Sequence, residues 1–410
     1  MFPSKRGVAR CKTNEYELRP TLTNSIVAKS DNEKKRNNSD AARLSRFIRR
    51  ELAERIPHLL PDHRLTLAML VTGLLRSRDG RLTKIAEKVA YTYKKPSLIS
   101  RFQRFIRSSW VTVNQLYKPL VTGILQTISA NEPLVLLIDS TRLGGRCICL
   151  MVSVYYKNRA IPIAWCCLKG RKGHTPQAAQ LELLQHVRDL LPDNSAVVLV
   201  GDGEFDGTEL LTWLINEAGW DFVCHTSHTH LLLLTGKWLS LAEIVSDLAL
   251  APGQTTLLTQ CAFTRQRPSV TVNIFIAWHH IEQRHIFFVT NCTTAAEAKE
   301  WYDHRFTIET CFADLKSRGF NLDLTRIRTP ERLERFLLAA AFAYYLVILF
   351  GIEAIFSGIF SELVRTDAFY HSLSQLGFIL LDDILNQGDA FPDLGHLPAP
   401  YSVPHIVLPP

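Results

Sequence analysis

The chain has 410 residues, of which 47% are hydrophobic and 21% are charged. This composition excludes a disordered or fibrous protein and predicts two or three globular domains. The net charge of +8 is uneven: residues 1–130 hold 26 Lys and Arg against 10 Asp and Glu, and residues 131–410 hold 21 against 29. A basic front half favours a polyanion such as nucleic acid as partner, and a basic tail kept for solubility is the alternative.

The nine cysteines contain no C-x-x-C pair, so the pattern does not indicate a zinc site. Free thiols are typical of a reducing cytosol, and no apolar segment follows the basic start as a signal peptide would require. We therefore expect a cytoplasmic protein. Residues 336–352 carry no charge over 17 positions, and we interpret them as a buried core helix rather than a membrane span.

The front part of the chain is predicted to contain a disordered basic tail and a helical domain. Residues 1–40 are polar and poor in apolar side chains, which favours disorder. The pattern of residues 41–130 predicts helices, and two of them, RLTKIAEKVA and SLISRFQRFIR, resemble a helix-turn-helix. The second carries Arg101, Arg104 and Arg107, which we expect to contact DNA. A helical bundle with a solvated basic face is the open alternative.

From residue 134 the pattern changes to apolar runs typical of buried strands. Three strands come first, followed by helix, strand, helix and strand, which is the order of an RNase H-like α/β fold rather than a doubly wound sheet. We therefore predict an RNase H-like core over residues 131–225 and 291–355. A β-rich subdomain over residues 226–290 interrupts this core, and residues 356–410 are predicted to be helical and irregular.

Two aspartates follow buried strands directly, Asp139 after LVLLI and Asp202 after AVVLVG. Ligands of open α/β sheets gather at the carboxyl ends of strands, which predicts a functional site there. A turn or cap role for either aspartate alone is the alternative. Glu204 and Asp206 lie in the same loop as Asp202 and could replace it as a ligand.

A third acid lies in the segment WYDHRFTIETCFADLKSRG, which we predict to be part of one long helix beginning near Thr294. At 100° per residue, Tyr302, Arg305, Glu309 and Lys316 fall within an arc of about 60°. Such a face presents one acid and two bases beside an apolar stripe. A surface helix stabilised by ion pairs would show the same pattern.

The spacing Tyr302-x2-Arg305-x3-Glu309-x6-Lys316 resembles the Y-R-E-K signature of the insertion-sequence-4 family of bacterial DDE transposases. The contexts LIDST around Asp139 and VGDGEFDG around Asp202 resemble the two aspartate motifs of that family. The resemblance covers residues 80 to 350, approximately. The long segment between Asp202 and Glu309 leaves room for the β-rich insertion that the family has there.

The resemblance implies a catalytic triad that also binds two Mg²⁺ ions, for which Mn²⁺ can substitute: Asp139, Asp202 and Glu309. Asp139 would bridge both ions, and hard carboxylate oxygens suit them. Three further residues would contact phosphates of the transposon end: Tyr302, Arg305 and Lys316. The substrate would be double-stranded DNA, which a homodimer would cut out through a hairpin intermediate and join to a target. The protein would not bind a membrane, and it would act at the nucleoid in a bacterial cytoplasm. Trp278 is the candidate for stacking on a flipped base, or else a core tryptophan.

Two other functions are compatible with the sequence. An RNase H-like nuclease such as a junction resolvase would cut DNA without joining it, and a non-catalytic relative would only bind DNA. Three histidines alternate after the fifth strand, His225, His228 and His230, and we predict them to be surface residues. A basic run from Lys316 to Arg335 is either a solvated face or a DNA contact.

Overall fold

The computed structural model describes residues 39–90, 94–170, 173, 175–265, 270–365 and 371–402. Residues 1–38 of the predicted basic tail and part of the turn between the two helices of the helix-turn-helix segment lie outside these residues. In the described part of the chain, five helices precede the sheet: α1 (Asp40–Arg55), α2 (Pro61–Ser77), α3 (Leu82–Glu87), α4 (Lys95–Arg107) and α5 (Val113–Ser129). Their buried faces are apolar, as at Leu98, Phe102 and Phe105 of α4, so they pack on one another and on the rest of the chain.

The next elements follow the predicted order of three strands, helix, strand, helix and strand. They are β1 (Leu134–Leu143), β2 (Cys147–Tyr156), β3 (Arg159–Lys169), α6 (Gln177–Arg188), β4 (Val197–Gly201), α7 (Thr208–Trp213) and β5 (Asp221–Thr226). The first three strands pair antiparallel, whereas β1, β4 and β5 run parallel to one another. The apolar runs are buried on both faces of the sheet, since every residue of β4 and all but one residue each of β1 and β2 are buried.

The β-rich segment extends this same sheet. It contains β6 (Leu231–Leu234), β7 (Lys237–Ser240), α8 (Leu241–Asp247), β8 (Thr256–Phe263), β9 (Thr271–His279) and β10 (Arg284–Thr290). β10 pairs antiparallel with β5, and the ten described strands form one sheet in the order β3-β2-β1-β4-β5-β10-β9-β8-β6-β7. We predicted a subdomain here. Its strands are present, and they are hydrogen-bonded to the central sheet rather than set apart from it.

The chain then returns to helices: α9 (Ala295–Asp303), α10 (Phe306–Ala313), α11 (Pro330–Phe356), α12 (Phe360–Leu363) and α13 (Leu373–Gln387). Helix α11 is long and apolar enough to cross a membrane, but 94% of its most apolar window is buried within the protein. It packs against α13 and β3. Glycines allow this close contact, because a Cβ on Gly351 would lie 2.0 Å from the Leu373 carbonyl oxygen. The helix is buried, as we predicted for residues 336–352.

Candidate active site at the centre of the sheet

Asp139 and Asp202 are neighbours on adjacent parallel strands. The last paired residues of β1 and β4 are Ile138 and Gly201, and each aspartate is the next residue along its chain. Adjacent strands lie about 4.8 Å apart, so the two residues meet where β4 ends. Our expectation that Asp139 ends its strand was wrong, because β1 continues to Leu143 and Asp139 pairs with Met151 of β2. Asp202 does follow the last residue of β4, as predicted.

Both aspartates are oriented by backbone hydrogen bonds. Oδ1 of Asp139 accepts the N–H of Ser140 at 2.6 Å, and Oδ1 of Asp202 accepts the N–H of Glu204 at 2.9 Å. Asp139 is buried, with 2% of its surface exposed, whereas Asp202 faces an open cleft. One carboxylate is therefore enclosed by the sheet and the other is accessible from solvent.

The other two acids of the Asp202 loop have partners elsewhere in the fold. Glu204 accepts the Ser140 hydroxyl at 2.7 Å and the N–H of Thr175. Asp206 accepts the Thr226 hydroxyl at 2.7 Å, and burial raises the pKa of its carboxyl. Because these carboxylates tie the loop to β1, to the segment before α6 and to β5, they brace Asp202 rather than compete with it.

The segment that contains the third acid is not one helix. Thr294 accepts the N–H of Glu297 and begins α9, close to the predicted start, but α9 ends at Asp303 and α10 begins at Phe306. At the break the chain forms tighter i to i+3 hydrogen bonds, such as Arg305 N–H to Tyr302 O at 2.9 Å. The uniform 100° rotation that we assumed therefore does not hold across residues 304 and 305.

The break nevertheless gathers three of the four signature residues. Nη2 of Arg305 lies 2.7 Å from Oε1 of Glu309, and its guanidinium carbon lies 5.6 Å from the ring centre of Tyr302. Burial opposes the charge of Arg305, yet Tyr302, Glu309 and Asp139 together raise the pKa of its guanidinium above the ordinary value. Arg305 thus pairs with Glu309 and also lies close enough to the buried Asp139 to be stabilised by its negative charge.

Lys316 reaches the site from a different direction. It lies in a π-helical turn, Asp314–Arg318, and its Nζ donates to the Thr141 hydroxyl at 3.1 Å. Thr141 is two residues beyond Asp139 on β1, so both side chains lie on the same face of the sheet. Lys316 therefore contacts the strand that carries Asp139 rather than the Tyr302 group.

A cleft of about 780 Å³ unites most of the predicted residues. Its walls include Asp202, Tyr302, Arg305 and Glu309 together with Trp278 of β9. The Trp278 ring meets the His285 ring edge-on at 4.9 Å between centres, so this tryptophan is half-buried and still faces the cleft. The β-rich segment thus lines the cleft together with α9 and α10.

Two further residues of the cleft, Phe306 and His225, have properties that suit a functional site, although the sequence did not identify them as part of it. Phe306 lines it with 67% of its surface exposed, which is unusual for phenylalanine and which no local pattern indicated. His225, predicted to be a surface residue, also lines it, and burial lowers the pKa of its imidazole. Since Gly201 pairs with Cys224, His225 is the next neighbour of Asp202. The strand-end argument applied to β5 would have found it.

The arginines of α4 lie outside this cleft and differ from one another. Arg101 donates to the Thr66 hydroxyl at 2.8 Å and to the Asp62 carboxylate at 2.7 Å, so it joins α4 to α2. This engagement argues against the predicted DNA contact for Arg101. Arg104 and Arg107 are exposed, and their role in DNA binding stays a prediction.

Divalent cations prefer the oxygen donors that this site offers. Asp139 and Asp202 are adjacent, and Glu309 lines the same cleft. Within the described ranges, however, no three His, Cys, Asp or Glu side chains are grouped closely enough to hold a metal ion. The third carboxylate, that of Glu309, is paired with Arg305 instead of with the two aspartates. The donor types fit a hard cation, and Glu309 would have to leave Arg305 to join the other two.

Comparison with known protein families agrees with this chemistry. Residues 132–346 match the family model described as the transposase DDE domain. Among solved structures, the chain is similar to a piggyBac transposase in a synaptic complex with hairpin DNA, with 12% sequence identity and a TM-score of 0.43. The similarity covers 85% of this chain and 77% of that one. No curated protein matches the sequence.

Proposed function

The chain belongs to the DDE transposase domain family, and we propose on that basis that it cuts DNA at the terminal inverted repeats of a transposon and joins the freed ends to target DNA. The observation that carries this proposal is the adjacency of Asp139 and Asp202 on parallel strands, beside a cleft that Glu309 also lines. A basic front half and basic residues around this cleft suit a DNA substrate.

The strand arrangement supports an RNase H-like core within this proposal. The sequence predicted the order of elements along the chain, and in the structure these strands lie in the order β3-β2-β1-β4-β5, three of them antiparallel and the next two parallel to β1. The spacing of Tyr302, Arg305, Glu309 and Lys316 supports membership of the insertion-sequence-4 group and its hairpin-forming, cut-and-paste reaction. We further propose a homodimer acting in a bacterial cytoplasm.

The three acids would hold Mg²⁺, or Mn²⁺ in its place, with two ions in the site. When bound, such ions lower the pKa of water and stabilise charge on the attacking and leaving oxygens. The carboxylates supply the oxygen donors, and the backbone bonds at Ser140 and Glu204 orient two of them in advance. Pre-oriented ligands lose less conformational freedom when the ions arrive.

The cations near the acids would bind and orient the DNA. Arg305 presents a planar fork that suits two phosphate oxygens at once, and Lys316 presents a point charge beside β1. A phosphate that binds Arg305 competes with Glu309 for the same guanidinium. Substrate binding would thereby release the Glu309 carboxylate towards Asp139 and Asp202, which couples DNA binding to assembly of the site.

The test is cleavage and strand transfer in Mg²⁺ or Mn²⁺, on DNA that carries the repeats flanking the gene. We expect Asp139→Asn, Asp202→Asn and Glu309→Gln to bind DNA but to lose activity roughly a thousand-fold, because several kcal/mol of transition-state stabilisation disappear. Glu282→Gln removes an acid from the same cleft without touching the proposed ligands and serves as the matched control.

Each outcome of this test has a definite meaning. Active acid variants would show that the chemistry takes place elsewhere. A wild-type protein that cuts without joining would be a nuclease or resolvase, and one that binds without cutting would be a DNA-binding relative. If Glu282→Gln lost as much activity as the three acid variants, any change of charge in the cleft would abolish activity. The assignment of Asp139, Asp202 and Glu309 as the catalytic triad would then lose its support.

A further inference from the structure

A second groove lies on another part of the molecule, between helices α3 and α4 and the segment of residues 325–332. It has a volume of about 490 Å³. Its lining contains no Asp or Glu and includes five arginines, which we call the arginine groove: Arg81, Arg107, Arg326, Arg328 and Arg332. The cleft of the proposed active site, in contrast, has four acids among its walls: Asp202, Glu282, Asp303 and Glu309.

Most of these arginines are not engaged by acids of the chain. Arg81 forms an ion pair with Asp79 at 2.5 Å. For the other four, the part of the chain that the structure describes offers no acidic side chain within ion-pair distance. Arg107, Arg326 and Arg328 are exposed. Thr325 lines the same groove and is buried, with 5% of its surface exposed. Its hydroxyl lacks a hydrogen-bond partner among the described residues. The groove thus concentrates positive charge and one unsatisfied polar group.

A nearby arginine shows what a purely structural role looks like. Arg335 donates to the Val111 carbonyl at 3.1 Å and to the Ile106 carbonyl at 3.3 Å, so its charge caps the end of α4 and the following turn. The groove arginines make no comparable bond to the backbone within the described ranges. The positive charges of the four arginines other than Arg81 are therefore available to a ligand.

The wall that carries Arg326 and Arg328 is held on two sides. The Asn321 side chain donates to the Arg78 carbonyl at 2.7 Å, and the N–H of Gly145 donates to the Ile327 carbonyl at 3.0 Å. Gly144 has a φ of 63°, and a Cβ there would lie 2.6 Å from the Ile327 carbonyl oxygen. Only glycine permits this approach, so the groove is pre-organised rather than formed on binding.

Strand β1 connects the groove to the proposed active site. Asp139 lies within the strand, Thr141 accepts from Lys316, and a Cβ on Gly145 would lie 2.9 Å from the Arg328 side chain. The four steps of extended strand from Asp139 to Leu143 span about 13 Å, and Gly144 and Gly145 lie in the turn that follows. At a rise of about 3.4 Å per base pair this distance corresponds to roughly four base pairs of duplex DNA, a little under half a turn.

We propose that the arginine groove binds the sugar-phosphate backbone of duplex DNA about half a helical turn from the phosphate that is cut. Lys316 would contact the backbone between the two positions. The proposal rests on the proposed function, because it takes DNA as the substrate of the site around Asp139. Arginines without acidic neighbours, on a fixed wall, match a ligand with regularly spaced negative charges and no side chains to recognise.

The test is the affinity for a duplex of 30 base pairs without metal, measured by fluorescence anisotropy over a series of salt concentrations. The triple variant Arg107→Gln, Arg326→Gln, Arg328→Gln should bind on the order of 100-fold more weakly at 0.15 M salt. Its slope of log affinity against log salt should be shallower by about 2.7, which is roughly 0.9 for each lost phosphate contact. The triple lysine variant keeps the charges and should retain most of the slope.

The control variant is Arg49→Gln, Lys118→Gln, Lys237→Gln, which removes three exposed cations outside the groove and gives the same change in net charge. Equal losses in the groove and control variants would overturn the proposal, as would an unchanged salt slope in the groove variant. Melting temperatures show whether each variant is folded. Cleavage by wild type in Mg²⁺ reports on the proposed function separately, so that either idea can fail alone.

Discussion

Nη2 of Arg305 lies 2.7 Å from Oε1 of Glu309, which pairs the third acid of the proposed triad with an arginine proposed to bind phosphate. Both residues line the cleft beside Asp202. One side chain can therefore serve two partners in turn, the carboxylate before DNA binds and a phosphate afterwards. The pairing is local, since the residues are four apart at the start of α10. Its proposed role in catalysis depends on β1 and β4, which place Asp139 and Asp202 at the same site.

Replacement of Arg305 separates these two roles. We expect Arg305→Ala to weaken binding to transposon ends about 10- to 150-fold, the equivalent of one charge-assisted contact of about 1.5–3 kcal/mol. Mn²⁺ affinity, measured by calorimetry, should stay equal or rise because Glu309 is released. The DNA affinity of Arg305→Lys should lie between those of wild type and Arg305→Ala, since an ammonium keeps the charge but lacks the planar fork. Unchanged product yield at limiting DNA would remove Arg305 from the site.

The exposed ring of Phe306 provides a second prediction. Stacking on an aromatic side chain contributes about 1–3 kcal/mol per base, so Phe306→Ala should weaken binding of an end with an unpaired terminal base roughly 5- to 150-fold. Trp278→Ala tests the residue chosen from the sequence in the same assay. Phe306→Ala should keep the melting temperature of wild type, because the ring is 67% exposed. If Phe306→Ala weakened the binding of a fully paired duplex by the same factor, stacking on an unpaired base would be contradicted.

The break between α9 and α10 predicts a dependence of stability on pH. His304 stacks on Tyr155 at 4.0 Å between ring centres, and burial lowers the pKa of its imidazole. The unfolded chain therefore takes up a proton at a higher pH than the folded one, so stability falls as pH drops below about 6.5. We expect Tm to fall between pH 7.5 and 5.5, and to fall less in His304→Asn.

An exposed histidine supplies the control for that measurement. His58 lies on the surface between α1 and α2, and His58→Asn should leave the fall in Tm as it is in wild type. The prediction is wrong if His304→Asn and wild type lose the same number of degrees between the two pH values.

Removal of residues 1–38 should leave catalysis intact. This segment holds nine Lys and Arg against four Asp and Glu, and it lies outside the described residues. Its loss should lower the affinity for non-specific DNA modestly, since fewer phosphates are neutralised. End cleavage by the truncated protein at saturating DNA is the measurement. Loss of cleavage with an unchanged circular dichroism spectrum would show that the tail takes part in the reaction.

The amino-acid sequence alone determined the elements of this protein, because helices and strands depend on local patterns. Apolar runs located the strands from β1 to β5, and Thr294 marked the start of a helix. The carboxylate at the end of β4 was identified in the same way. The spacing of Tyr302, Arg305 and Glu309 indicated their association, because residues three and four apart contact one another even where a helix tightens.

Tertiary structure alone decided how distant segments meet. The register that places Asp139 beside Asp202 depends on pairing between β1 and β4, which are separated in the sequence by two strands and a helix, and antiparallel pairing with β2 carries β1 beyond Asp139. The pairing of Arg101 with Asp62 is equally non-local. The arginine groove joins α3 and α4 to the segment of residues 325–332, which follows all ten strands of the sheet in the sequence. A linear pattern reports burial and period, whereas these contacts depend on packing between elements that the pattern does not encode.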